Sequence, residues 1–238
     1  MPVQHLSEAN KLQRLEYCQQ MLGHLEEDPA FFEKIVFTDE ASFSTAGMFN
    51  RKNKHHWATQ NPHKIQSIKI QGRRSVHVWC GMLGNRVIGP IIFDGYLTGH
   101  RYLDLLQDQI ENYLEGLPLE QYNNLVWHQD GAPPHNILQV TEYLNDRYRH
   151  WIGRHGTIQW PANSPDLNPL DIFLWGFLKN RINYDGPHNI NVLRPKIENE
   201  IFILNRDHRE FIYNAIFHKM TENIRKCVQN NGGYIENM

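Results

Sequence analysis

The sequence predicts an α/β fold, a mixed sheet of five strands with helices on its faces. Three observations lead there. Two short apolar runs, Ile35-Val36-Phe37 and Leu125-Val126-Trp127, each end in a polar, turn-rich stretch, as buried strands do. Two further runs, "RRSVHVWCGML" and "NRVIGPIIF", meet at Gly84-Asn85, a hairpin signal. Stretches of helical periodicity separate the other strands, so the sheet combines a tight antiparallel turn with helical crossovers.

Residues 5–27 read as a helix, with Leu6, Leu12, Leu15, Cys18, Met21 and Leu22 near helical spacing and Ser7 and Asn10 as caps. "KIVFTDEASF" supplies the first strand, which runs into Thr38, Asp39 and Glu40. From Ser44 to Gly72 the chain is rich in Gly, Asn, Lys and His, which predicts a long basic loop or hairpin with one strand near His56–Ala58. After the hairpin, Tyr102, Leu103, Leu106, Ile110, Tyr113, Leu114 and Leu117 form the stripe of an amphipathic helix. "NNLVWHQDGAPPHN" holds the next strand, because Gly131, Pro133 and Pro134 forbid its continuation past Asp130. "ILQVTEYLNDRY" predicts a short helix and "TIQW" the last strand. Pro161, Pro165 and Pro169 then break the chain before "LDIFLWGFLKNRI", apolar almost all round and therefore buried. "VLRPKIENEIFIL" and "REFIYNAIFHKMTENIRKCV" close the chain as helices. The expected organisation is a linker helix over 1–30, a central domain over 31–185 with a basic insertion at 44–72, and a helical part over 186–238 packed on the same domain.

Composition narrows the class. Of 238 residues 40% are hydrophobic, with 6 Trp, 11 Phe and 10 Tyr, enough for a large core. Cys18, Cys80 and Cys227 are far apart in sequence, which argues against a disulfide framework or a cysteine zinc site and predicts a reducing compartment. No apolar run reaches the roughly 18 residues of a bilayer span, and no signal-peptide core is present, so a soluble, unexported protein is expected. A net charge of −2 makes no global case for nucleic acid. Its distribution does: between Glu40 and Asp94 there is no acid, while Arg51, Lys52, Lys54, Lys64, Lys69, Arg73, Arg74 and Arg86 all fall there. Such segregation suits a phosphate backbone.

The candidate chemistry begins at the strand ends. If the strands leading to Asp39 and Asp130 are parallel neighbours, their ends lie about 5 Å apart. Two such carboxylates repel unless a cation neutralises them, and a pair of divalent ions, the usual answer for phosphodiester substrates, calls for a third. "WPANSPDLNPLDIFLWG" offers Asp166, in a turn between prolines, and Asp171, in the first turn of the buried helix behind Asn168 as N-cap and Pro169 at N1. A helix fixes a carboxylate better than a loop does, which favours Asp171, although an acid there also serves a capping box and the helix dipole. His128 and His135 flank Asp130, placed either to position a phosphate or orient the ligand, or to pack as core and cap histidines. Glu40 points to the other face of the strand. Serine-nucleophile, Gly-rich phosphate-loop and zinc patterns are missing from the sequence.

In their order, "VFTDEASF", "HQDGAPPHN" and "SPDLNPLDIFLW" resemble the three acidic motifs of mariner-type transposases, and "VHVWCGMLG", "RYLDLL" and "CVQNNGGYIEN" match the same family's run of sequence. The likeness covers nearly the whole chain. It implies a ribonuclease H-like catalytic domain in which Asp39, Asp130 and Asp171 bind two magnesium or manganese ions and cut and join DNA strands. It further implies transposon ends and target DNA as partners, a homodimer, no small-molecule cofactor, no membrane, and residence in the nucleus. The basic segment falls where the family has a loop that clamps DNA or a partner subunit. Two features depart from the pattern: the sequence begins past the family's usual helix-turn-helix region, and the interval from Asp130 to Asp171 is longer than in mariner, which implies a divergent branch. The competing readings are an inactive or domesticated DNA-binding derivative and a stand-alone ribonuclease H-like nuclease.

Overall fold

The computed structural model describes residues 6–45, 75–182 and 189–235. At its centre lies a six-stranded sheet in the order β3-β2-β1-β4-β5-β6. The strands are β1 (Ile35–Ser44), β2 (Ser75–Leu83), β3 (Arg86–Phe93), β4 (Val126–His128), β5 (Trp151–Gly153) and β6 (Ile158–Gln159). β1, β2 and β3 are antiparallel neighbours, and the Gly84-Asn85 turn joins Leu83 to Arg86 as the hairpin signal predicted. β4, β5 and β6 run parallel to β1 and to each other. Five strands were expected and six are found. The extra strand is β5, three buried residues too short to display alternation, while the predicted "TIQW" strand is the two-residue edge β6.

The two faces of the sheet carry separate cores. Val36 and Phe37 point to opposite sides, as the two-residue period requires. On one side Val36, Trp79, Trp127 and Trp151 pack under α2 (Gly99–Asp104), α3 (Glu111–Leu114) and α5 (Leu138–Arg147). The rings of Trp79 and Trp127 lie almost parallel with centroids 6.2 Å apart. A π-helical turn, Leu105–Ile110, joins α2 to α3, so the predicted amphipathic stripe is one continuous helical run. The short α4 (Leu119–Asn123) precedes β4.

On the other side Phe37, Cys80 and Met82 meet α1 (Glu8–Glu27), α6 (Trp175–Ile182), α7 (Ile190–Asp207) and α9 (Met220–Gln229). α8 (Arg209–Tyr213) reaches α9 through a second π-helical turn, Asn214–Lys219. Ser7 caps α1 in a reciprocal capping box with Asn10, the pair that the sequence put forward. The helix buries Arg14, Tyr17, Cys18 and Met21 against the core and α9 and leaves Leu12 exposed, so it is part of the domain rather than a free linker. All three cysteines are buried and free. Among the described residues no helix is long and apolar enough to cross a membrane. Seven of the basic residues singled out above, Arg51, Lys52, Lys54, Lys64, Lys69, Arg73 and Arg74, lie outside the described residues, as does the strand expected near His56–Ala58.

Candidate active site

Parallel pairing of β1 with β4 matches Phe37 to His128, which puts Asp39 and Asp130 at equivalent positions two residues further on. Strand direction alone brings these two acids together. The third arrives from the helical turn Leu170–Leu174, a π-helical stretch ahead of α6. Asn168 sets that turn: its Oδ1 accepts from the Leu170 N–H at 3.1 Å, its carbonyl from the Ile172 N–H at 3.0 Å, and its amide donates to the Thr38 carbonyl at 3.4 Å. The residue read as a helix cap therefore also ties the Asp171 turn to β1, one residue before Asp39. Asp39, Asp130 and Asp171 line a single cleft of about 990 Å³.

Asp166, the alternative third acid, goes elsewhere. Its two oxygens accept from Arg14 Nη1 and Nη2 at 2.7 and 2.6 Å in a buried, two-pronged ion pair. Arg14 Nε donates to the Gly232 carbonyl at 2.8 Å, and Asn223 donates to the Asp166 carbonyl. Gly232 has φ +81°, and a Cβ there would lie 1.9 Å from the Lys11 carbonyl oxygen, so only glycine lets the chain lie this close to α1. Sequence reasoning missed Arg14. Its signal was position: Arg14, Tyr17, Cys18 and Met21 fall on one helical stripe at i, i+3, i+4 and i+7.

Each carboxylate near the strand ends has one oxygen held and one left over. Trp175 Nε1 donates to Asp39 Oδ2 at 2.7 Å. Asp130 Oδ1 accepts from the Ala132 N–H at 2.9 Å and bonds His135 Nδ1 at 2.7 Å. Asp39 Oδ1, Asp130 Oδ2 and both oxygens of Asp171 make no hydrogen bond with any described residue. His135 is buried between Asp130 and Glu40, whose Oε1 lies 3.4 Å from its Nε2, and its ring packs against Tyr102. Gln129, also missed by sequence reasoning, donates to the His135 carbonyl at 2.9 Å and accepts from Tyr102, which fixes the turn carrying His135. His128 is placed differently: it is wholly buried, packed against Trp160 and Phe37, and outside the cleft lining.

Electrostatics follow this geometry. Burial works against a charged His135, but the carboxylates of Glu40 and Asp130 outweigh it and push the imidazole up to about 10. Burial raises Asp130, yet the bond and charge of His135 hold it below the usual carboxylate range. Asp39 is raised well above that range by burial and then by the charges of Asp171 and Glu40, against the pull of Trp175. Asp171 is pushed up to about 6 by burial, which Lys179 opposes and Asp130 and Asp166 reinforce. Burial holds the His128 imidazole neutral, down at about 3. Two raised carboxyls facing one cleft form a site short of positive charge. An all-oxygen donor set with an unbonded oxygen on each acid fits a hard divalent cation such as magnesium or manganese. Among the described residues no three His, Cys, Asp or Glu side chains are grouped closely enough to hold a metal ion as they stand.

The mixed sheet, ordered β3-β2-β1-β4-β5-β6 with helices on both faces, is a ribonuclease H-like fold. Curated relatives similar to the chain include the transposases of the Tc3, Tc1 and Tcb1 elements. The Tc3 transposase of Caenorhabditis elegans is 25% identical over 178 residues, 74% of this chain and 49% of that protein. The Tc1 transposase of the same organism is 26% identical over 207 residues, 82% of this chain and 67% of that protein. The chain thus spans about half the length of the Tc3 transposase. No family model matches it. Among solved structures, the catalytic domain of Mos1 mariner transposase superposes with a TM-score of 0.75 at 19% identity, covering 99% of this chain and 100% of that domain. A pre-cleavage Mos1 transpososome gives a TM-score of 0.81 at 19% identity over 98% of this chain and 66% of the other. Mos1 paired-end complexes with Mn and with Mg, and a Mos1 strand transfer complex, have the same fold.

Proposed function

We propose that the chain is the catalytic domain of a transposase that cuts DNA strands and joins the freed end to a target, with Asp39, Asp130 and Asp171 holding two divalent metal ions. One observation carries the reading: three aspartates from β1, the end of β4 and the turn before α6 line one cleft, each with an oxygen free for a ligand. The Tc1 and Tc3 relatives and the Mos1 neighbours solved with Mn, with Mg and in strand transfer support it. Bound there, the ion pair supplies a water of lowered pKa and neutralises charge on the phosphate and the leaving 3′ oxygen.

The protein's part is positioning. Trp175 holds Asp39 and His135 holds Asp130, so each presents its other oxygen to the cleft. Asn168 keeps the Asp171 turn against β1. In the joining step the 3′-hydroxyl oxygen attacks phosphorus as its proton passes to solvent, the opposite P–O bond breaks and its leaving 3′ oxygen takes up a proton from solvent, and the same acids serve both steps. DNA is the partner, with the basic residues Arg51, Lys52, Lys54, Lys64, Lys69, Arg73 and Arg74 on its backbone. A homodimer pairs the transposon ends, a reading supported by the paired-end Mos1 neighbours, and residence in the nucleus is part of the proposal because chromosomal DNA is its target.

The test is incubation of the protein and Asp130→Asn with an end-labelled duplex and supercoiled plasmid in magnesium or manganese. Metal-dependent cutting and transfer of label to the plasmid, both lost in the variant, are expected. Cutting without joining reduces the function to a nuclease, and DNA binding without cutting overturns the enzyme reading.

A further inference from the structure

We infer that Arg154 is a phosphate-gripping residue that holds a single DNA strand beside the scissile bond. The inference rests on the function proposed above and extends it to a part of the cleft that the three aspartates do not occupy.

The cleft is larger than its chemistry needs. Its volume of about 990 Å³ stands at the upper end of the roughly 300–1,000 Å³ usual for ligand sites. Beyond the aspartates it runs between α1, which presents Gln13, Glu16 and Gln20, and the turn linking β5 to β6, which presents Arg154 and Thr157. Gln13, Glu16 and Gln20 are spaced i, i+3 and i+7, so one polar stripe of α1 forms a whole wall. The charged residues of the lining are Glu16, Asp39, Asp130, Asp171 and Arg154, which makes Arg154 its one cation among the described residues. A polyanion entering this acidic space has one guanidinium to meet.

Arg154 is free to meet it. It is exposed and makes no hydrogen bond or ion pair with any described residue. By contrast Arg14, Arg147, Arg181, Arg194 and Arg206 are all paired with acids. The backbone under Arg154 is nevertheless fixed. Thr157 Oγ1 accepts from the Trp151 N–H at 3.1 Å, and the Gly153 carbonyl accepts from the N–H groups of Gly156 and Trp160 at 3.3 and 3.1 Å. A Cβ at Gly156 would lie 2.3 Å from the Trp151 carbonyl oxygen, so this tight closure requires glycine there. A long, unpaired, planar cation on an anchored turn at the rim of an acidic cleft is suited to a phosphodiester. The neutral amides of Gln13 and Gln20 opposite can meet sugar and base edges without adding repulsion.

The experiment is a fluorescence-anisotropy titration of a labelled single-stranded oligonucleotide in calcium over a series of salt concentrations. It compares the unmodified chain with Arg154→Gln, Arg154→Lys and Arg149→Gln, the last an exposed arginine outside the cleft. Arg154→Gln lowers the slope of log K against log salt by about 0.7, the loss of one phosphate contact on a single strand. Arg154→Lys retains the slope, and Arg149→Gln leaves it unchanged. An unchanged slope in Arg154→Gln, or an equal fall in Arg149→Gln, overturns the inference. Magnesium-dependent cleavage on the same preparations separates the two proposals. Cutting with an Arg154-independent slope removes the grip and keeps the enzyme. An Arg154-dependent slope without cutting keeps the grip and removes the enzyme. A chain that neither binds nor cuts removes both.

Discussion

Trp175 donates its indole N–H to Asp39 at 2.7 Å, four residues after Asp171 on the same helical run. The helix that delivers the third acid thus also grips the first. Trp175→Phe keeps most of the packing on Phe43 and removes only this donor. Loss of a hydrogen bond that orients a metal ligand typically costs about 10–100-fold in affinity or activity. The expected result is a fall of that size in cleavage, partly restored at high manganese, with a melting temperature lowered by no more than a few degrees. An unchanged metal dependence would show that Asp39 needs no orientation.

Asp166 and Asp171 should separate stability from activity. Removing one member of a buried ion pair costs about 3–5 kcal/mol, so Asp166→Asn should lower the urea midpoint sharply by stranding Arg14. Asp171→Asn removes a repelled, unpaired carboxylate and should leave stability unchanged or raise it while abolishing cleavage. Urea unfolding and a cleavage assay on both variants decide. The opposite assignment would make Asp166 the functional acid.

Divalent metal should stabilise the fold by an amount that rises with the logarithm of its concentration above the dissociation constant. A ligand at about 100 times its dissociation constant adds about 2.7 kcal/mol to a one-site protein. Thermal melts in manganese should therefore rise with concentration, and the rise should vanish in Asp39→Asn. An equal rise in that variant places the metal elsewhere.

His135 links two carboxylates, and its energy should belong to the pair. Replacing it by Ala leaves the Glu40 oxygen buried without its neighbour, at a cost of about 1–3 kcal/mol. In a double-mutant cycle of Glu40→Gln with His135→Gln, a coupling of about 0.5–3 kcal/mol is expected from urea unfolding. Additive effects would mean that the two residues do not interact.

Asp39 and Asp130 were legible because each follows a short apolar run, and the strand period with its terminating turn is local information. Asp171 was legible through Asn168 and Pro169, which mark a helix start. Its choice over Asp166 needed a partner from another part of the chain: Arg14, which no local pattern connects to a turn near residue 166. Gln129 and Trp175 were invisible for the same reason, since their roles exist only once β4, α2 and α6 have packed. β5 went unread because three buried residues carry no period.

The bond from Arg14 to the Gly232 carbonyl gives the domain a temporal order. During synthesis the guanidinium precedes this acceptor by 218 residues. A chain cut before residue 232 therefore loses one acceptor of a buried cation beneath the segment that delivers Asp171, although Asp166 still holds the guanidinium.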